Sequence, residues 1–158
     1  MGGAEQPAGQ DTVTDLAGLG ALVGASLGHS EWTEMTQDRV DGFAEVTGDH
    51  NFIHVDARRA RETRFGGTIA HGFLTLSLLA PFTQRLEVTD APLRINYGLD
   101  RVRFPAPLPV GARFRLTATI VEVTPLDGGA QVKLAASVEV EGQAKPALAA
   151  ECLLRYYA

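Results

Sequence analysis

Apolar and polar residues alternate over much of the second half of the chain. Phe114, Leu116, Ala118 and Ile120 alternate with Arg113, Arg115, Thr117 and Thr119, the period of a strand with one buried face. Segments 131–141 and 145–157 are also strand-like, and Asp127-Gly128-Gly129 and Glu141-Gly142-Gln143 supply the turns between them. A further strand over 93–104 is interrupted at Gly98. It is closed by the stiff run Pro105, Pro107, Pro109 and Gly111. The first half has a helical period. Val40, Phe43, Ala44 and Val46 predict a helix over 37–47, with Thr36 as N-cap and Gly48 as left-handed C-cap. Asp56 caps a short polar helix reaching Arg61, Trp32 and Met35 lie in a short strand, and Thr14 caps a helix over 15–22. Residues 73–82 are apolar on nearly every face, which predicts a helix buried nearly all round and kinked or ended by Pro81. These elements predict an α+β fold: four antiparallel strands in a curved sheet wrapped around the apolar helix. Residues 1–27 are read as an N-terminal tail, disordered over 1–10, and 28–158 as a single domain.

Composition narrows the function classes. A chain of 158 residues, 45% hydrophobic and 21% charged, is one ordinary globular domain. At that size folding buries roughly 68–70% of the unfolded chain's surface, so neither disulfide nor metal is needed. The single cysteine, Cys152, cannot pair within the chain and is expected as an inert core thiol. It favours a reducing compartment, and cytoplasm is the default expectation. The net charge of −5, with no basic block, argues against nucleic acid or an anionic membrane as partner. The uncharged run 65–84 contains three glycines, His71 and Pro81, which suits a buried core element better than a membrane span. Gly18, Gly20 and Gly24 do not make a dinucleotide loop, because the last gap is too long and no strand precedes it.

The candidate chemistry lies between positions 49 and 73. Three histidines, His50, His54 and His71, fall there, with Asp49 and His54 in a loop after a helix cap. A carboxylate and a neutral imidazole can hold one water, and the Gly72 amide at a helix start can meet a carbonyl oxygen that gains negative charge. Glycine at that position would let a substrate approach the amide closely. Such a set suits addition or removal of water beside a carbonyl. Each residue also has a plain structural reading: Asp49 in an Asx turn, His54 as a satisfied core histidine, Asn51 as a loop residue, His71 as a packing or capping group. Metal ligation by Asp49, His50, His54, Asp56 and His71 matches no recognised spacing. An EF-hand would need a glycine where His54 stands, and no nucleophile elbow exists. Arg58, Arg59, Arg61 and Arg64 read as a solvated helix face, with phosphate contact as the alternative.

The run Thr47-Gly48-Asp49-His50-Asn51-Phe52-Ile53-His54-Val55-Asp56 resembles the hydratase motif of MaoC-like dehydratases, the (R)-specific enoyl-CoA hydratases. Ile69-Ala70-His71-Gly72-Phe73 is similar to that family's helix entry. Asn96-Tyr97-Gly98-Leu99, Val102 to Pro107 and Val110-Gly111 are similar to its next block. The likeness spans 28–157 and is closest to the small single-domain subgroup that includes nodulation protein N. It implies a hot-dog fold and hydration of trans-2-enoyl-CoA to (R)-3-hydroxyacyl-CoA. It also implies a homodimer, with no cofactor or metal beyond the coenzyme A of the acyl-CoA substrate. By family role Asp49 and His54 activate water, Asn51 and His71 support them, and the Gly72 amide polarises the thioester carbonyl. Phe52, Gly72 and Phe73 would meet the substrate. Phe52 replaces the family's usual proline, which implies either a less rigid loop or an aromatic wall of the acyl pocket. Ala80 stands where some members carry a serine, with Ser77 as substitute. Arg101 and Arg103 are candidates for the coenzyme A phosphates. Two other readings share the fold: a hot-dog thioesterase, and a non-catalytic acyl-CoA-binding or partner subunit.

Overall fold

The computed structural model describes residues 11–158, so the expected disordered tail over 1–10 lies outside the described residues. The main sheet has six strands: β2 (Ser26–His29), β3 (Thr33–Glu34), β5 (Leu93–Arg103), β6 (Arg113–Leu126), β7 (Gly129–Val140) and β8 (Leu148–Tyr157). Its order is β2-β6-β7-β8-β5, with β3 also paired to β6. The pairs within it are antiparallel, with Phe114 opposite Val140, Ile120 opposite Leu134, and Leu134 opposite Cys152. The four expected strands form its large part, and β2 and β3 extend it along β6. β1 (Thr12–Thr14) and β4 (Leu86–Val88) make a separate parallel pair.

The alternation read from the sequence is the alternation of burial. Phe114, Leu116, Ala118 and Ile120 of β6 are buried, as are Val132, Leu134, Ala136 and Val138 of β7. Each large aliphatic side chain so placed contributes about 1.5–3 kcal/mol. Cys152 belongs to this core, and burial pushes its thiol up to about 11, so it stays protonated.

The helices fill the concave side. α1 (Gln37–Thr47) has the expected bounds: the Thr36 hydroxyl accepts the Arg39 N–H, and Gly48 closes it at φ +76°. Two short helices follow, α2 (Phe52–Val55) and α3 (Ala57–Ala60), the latter capped by Asp56. The apolar helix spans the predicted range in two pieces. α4 (Gly72–Ser77) breaks at Leu78 before α5 (Leu79–Phe82). Pro81 has no N–H to give, and its ring crowds the carbonyl four residues back, that of Ser77. Nor is this helix buried all round: Leu74, Leu79 and Phe82 are buried, whereas Phe73 is 73% exposed.

Residues 11–27 pack into the domain. Leu19 and Leu27 are fully buried in the common core. In place of a helix over 15–22 there is one 3-10 turn, Leu19–Leu22, because the Asp15 carboxylate takes the Gly18 N–H at 2.7 Å in a tight turn and Thr14 is used in β1.

Candidate active site

The site forms where α1 ends. The Gly48 N–H closes onto the Ala44 carbonyl at 2.8 Å, and the chain emerges at Asp49. The Asp49 carboxylate accepts the Asn51 N–H at 3.3 Å, so the Asx turn exists. The Asn51 side chain in turn accepts the Ile53 N–H at 3.4 Å, capping α2. Asn51 itself is exposed.

α2 carries His54 inward, where it is 7% exposed. Its Nδ1 lies 2.7 Å from the Ile69 carbonyl oxygen. A carbonyl can only accept, so Nδ1 carries the hydrogen and Nε2 keeps its lone pair. Desolvation lowers the His54 pKa and the His71 ring adds to that, while the Ile69 bond and Asp49 oppose it. The net effect lies below the ordinary imidazole value, so the ring is neutral at neutral pH.

His71, 2% exposed, immediately precedes α4. Its Nε2 donates to the Asp49 backbone carbonyl at 2.9 Å by the same reasoning, which leaves Nδ1 buried without a partner. The His54 and His71 rings stack with centroids 3.8 Å apart, and Phe43 flanks His71 at 5.0 Å. One carboxylate oxygen of Asp49 and one ring nitrogen each of His54 and His71 lie within 4.8 Å of one another. Two hydrogen bonds of about 2.8 Å at a tetrahedral water span roughly 4.6 Å, which falls within that limit. His50 takes no part: it is exposed and faces Glu45 at 3.7 Å.

His54 and Gly72 line a cleft of about 360 Å³ whose far wall is Phe104, Pro105, Pro107 and Leu108, with Arg64 also lining it. Asp49 is exposed beside this cleft's histidine. Gly72 is the first residue of α4, where a helix N–H has no intrahelical acceptor. A Cβ on Gly72 would meet the Phe104 ring at 3.1–3.3 Å. The room over this glycine is therefore held by Phe104 of the same chain, which modifies the expectation of an open approach. Gly72→Ala should displace the ring over the amide and cut the second-order rate roughly tenfold, about 1.4 kcal/mol of barrier. Its melting temperature should change little, because the better helix propensity of about 0.5–1 kcal/mol offsets the crowding. Adding Phe104→Leu should recover activity in a steady-state assay.

Other candidates lie apart. The Phe52 ring is covered by the Arg59 guanidinium at 4.2 Å and does not line the cleft. Phe73 lines a second cavity of about 400 Å³ between α4–α5 and strands β5 and β8. Ser77 and Ala80 line it too, and the Ser77 hydroxyl donates to the Leu74 carbonyl at 2.7 Å. Arg101 and Arg103 are exposed on β5. Three residues at the site went unnoticed in the sequence. Phe104 announced itself only as the start of a Pro-rich loop, and Gln37 and Thr68 carried no signal, since the bonds that tie them to each other and to His54 are distant along the chain.

A neutral buried imidazole, a carboxylate beside it and a helix-start glycine on the same cleft make a candidate acid–base site. It sits on the hot-dog architecture, a curved sheet around a central helix. Residues 19–143 match the family model described as the MaoC like domain. The chain is 49% identical over 149 residues to 3-hydroxyacyl-thioester dehydratase Z of Mycobacterium tuberculosis, covering 93% of this chain and 99% of that relative. It is 43% identical to nodulation protein N of Rhizobium leguminosarum bv. viciae, over 85% of this chain and 86% of the relative. Among solved structures, the R-hydratase PhaJ1 of Pseudomonas aeruginosa superposes with a TM-score of 0.69 at 26% identity, covering 84% of this chain and 79% of that one. The chain belongs to the MaoC-like dehydratase family.

Proposed function

We propose that this protein is an (R)-specific enoyl-CoA hydratase, adding water reversibly to trans-2-enoyl-CoA to give (R)-3-hydroxyacyl-CoA. Its class is that of its family, a dehydratase and hence a hydro-lyase. The observation that carries the finer reading is the His54 ring, fixed in one tautomer by the Nδ1 bond to Ile69, with one of its nitrogens within 4.8 Å of an Asp49 carboxylate oxygen. In the hydration direction, Asp49 and His54 hold one water against C3 of the enoyl thioester. Its oxygen bonds to C3 as the pair accepts its proton, the C2–C3 π electrons shift toward the carbonyl, and the pair returns a proton to C2. The Gly72 amide opposes the charge that develops on the carbonyl oxygen.

This scheme needs no metal. The three donor groups have the span of a cation site, but the His54 and His71 planes differ by only 28° at 3.8 Å. Ring lone pairs lie in the ring plane, so stacked rings do not aim them at one tetrahedral centre. Asn51 acts indirectly, by capping α2. Arg64 lines the cleft, which makes it a better candidate than the exposed β5 residues Arg101 and Arg103 to face the coenzyme A phosphates.

The functional unit is proposed to be a homodimer in the cytoplasm. β5 ends the sheet, pairs with β8 on one side, and exposes Leu93, Ile95 and Tyr97, while Phe73 stands open on α4. Proteins cover or pair such edges. Among the described residues no helix is long and apolar enough to cross a membrane.

Incubation with a trans-2-enoyl-CoA tests the reaction. Hydration removes the conjugated absorbance without releasing thiol. Release of free coenzyme A would instead mark a thioesterase, and binding without turnover a non-catalytic subunit. The second-order rate should fall as pH drops below about 6.5, with its acid limb below the ordinary imidazole value, because the burial that holds His54 neutral must be overcome to protonate it. An acid limb above that value would contradict the assignment of His54 as the neutral partner.

A further inference from the structure

His54 is gripped by its backbone as well as by its ring. Gln37, the first residue of α1, donates from Nε2 to the His54 carbonyl at 2.8 Å and to the Asp41 carboxylate at 2.8 Å. Its Oε1 accepts the Thr68 hydroxyl at 2.7 Å. Nε2 thus faces two oxygens that only accept, and Oε1 faces a donor, so the amide works in this orientation alone. Thr68 is buried, and its carbonyl accepts the Val110 N–H at 2.9 Å, which ties it to the Pro-rich loop. The next residue completes the grip: the Ile69 N–H donates to the Ile53 carbonyl at 3.1 Å, and the Ile69 carbonyl takes the His54 Nδ1–H at 2.7 Å. Residues 53 and 54 are therefore held at three points by Gln37 and Ile69, with Thr68 fixing the Gln37 amide.

We infer that Gln37 and Thr68 are positioning residues for the reaction: through the His54 carbonyl they hold the His54 imidazole beside the Asp49 carboxylate. This rests on the reading of His54 and Asp49 as the water-activating pair. A misplacement of about 1 Å at a reacting group can cost 10²-fold in rate, and α2 is a single four-residue turn with few bonds of its own. Gln37 touches no substrate in this account; it acts only through His54. Thr68 acts one step further back, through Gln37.

Gln37→Leu removes both donors at similar volume, and Thr68→Val removes the hydroxyl while keeping the shape. Each should lower kcat about 10–100-fold with KM for enoyl-CoA changed little. The double variant should be little worse than the poorer single, because the two side chains form one chain of bonds. Thr68→Ser restores the hydroxyl and should recover most of what Thr68→Val loses. An NMR titration of the His54 imidazole gives a readout that needs no turnover. The groups facing that ring are Asp49 from the loop after α1 and His71 before α4, with Arg64 on the same cleft, and none of these is altered. A loosened α2 admits water to the ring, so its midpoint should move up toward about 6.5. Wild-type kcat in both singles, with lowered melting temperatures and an unmoved His54 midpoint, would mean that these bonds only hold the fold, and would overturn the inference. A wild-type protein that fails to hydrate any enoyl-CoA would instead remove the hydratase reading, and the His54 midpoint in the variants would still decide the positioning claim.

Discussion

Asp49→Asn is expected to lower kcat by about 10²–10⁴-fold, the usual loss when a general acid or base is removed, and to leave the fold intact. The side chain is exposed and accepts the Asn51 N–H at 3.3 Å. An asparagine keeps that bond through its amide oxygen and makes the same turn. Stability should therefore stay within about 0.5 kcal/mol, as for most surface substitutions. The substitution separates the two meanings of Asp49. If the residue served only to shape the turn after α1, the variant would turn over enoyl-CoA at nearly the wild-type rate. If its carboxylate shares a water with His54, the reaction stops while the denaturation curve does not move.

His54→Ala should lose a similar factor of about 10²–10⁴ in kcat, but with a visible cost to the fold. The ring is buried, and its loss strips the Ile69 carbonyl of its donor, which costs about 1–3 kcal/mol. It also leaves His71 without its stacking partner. Activity therefore has to be measured well below the variant's own melting temperature. The residual activity should lose the acid limb assigned to His54, which a mere loss of stability would not erase. Retention of both the limb and the rate would remove His54 from the chemistry.

What was legible in the sequence was local. α1 could be bounded to the residue because its start and stop are written in neighbours, Thr36 and Gly48, around an apolar period. The strands β6 to β8 were legible because alternation and burial are the same fact viewed twice. Asp49, His54 and His71 were visible as chemistry-bearing residues flanking a cap and a helix start. Their mutual geometry depends on α2 turning back against residues 69–71, which no short-range signal encodes. The same limit applies to Gln37, whose partners His54 and Thr68 are 17 and 31 residues away, and to Phe104 over Gly72. Leu19 was hidden for a related reason: its glycine-rich neighbourhood reads as tail, and only the sheet's concavity makes it core. The exposure of Phe73 shows the complement, since an apolar residue on a helix cannot announce whether its own chain or another covers it.

The central claim is that one water is shared by the Asp49 carboxylate and the His54 imidazole. A double-variant cycle of Asp49→Asn and His54→Ala, read as kcat on a trans-2-enoyl-CoA, tests it most directly. Groups that act as a unit are not additive, so the double variant should be no slower than about the slower single. Losses that multiply, or either single retaining near-wild-type kcat, would show that the two side chains do not work on the same water.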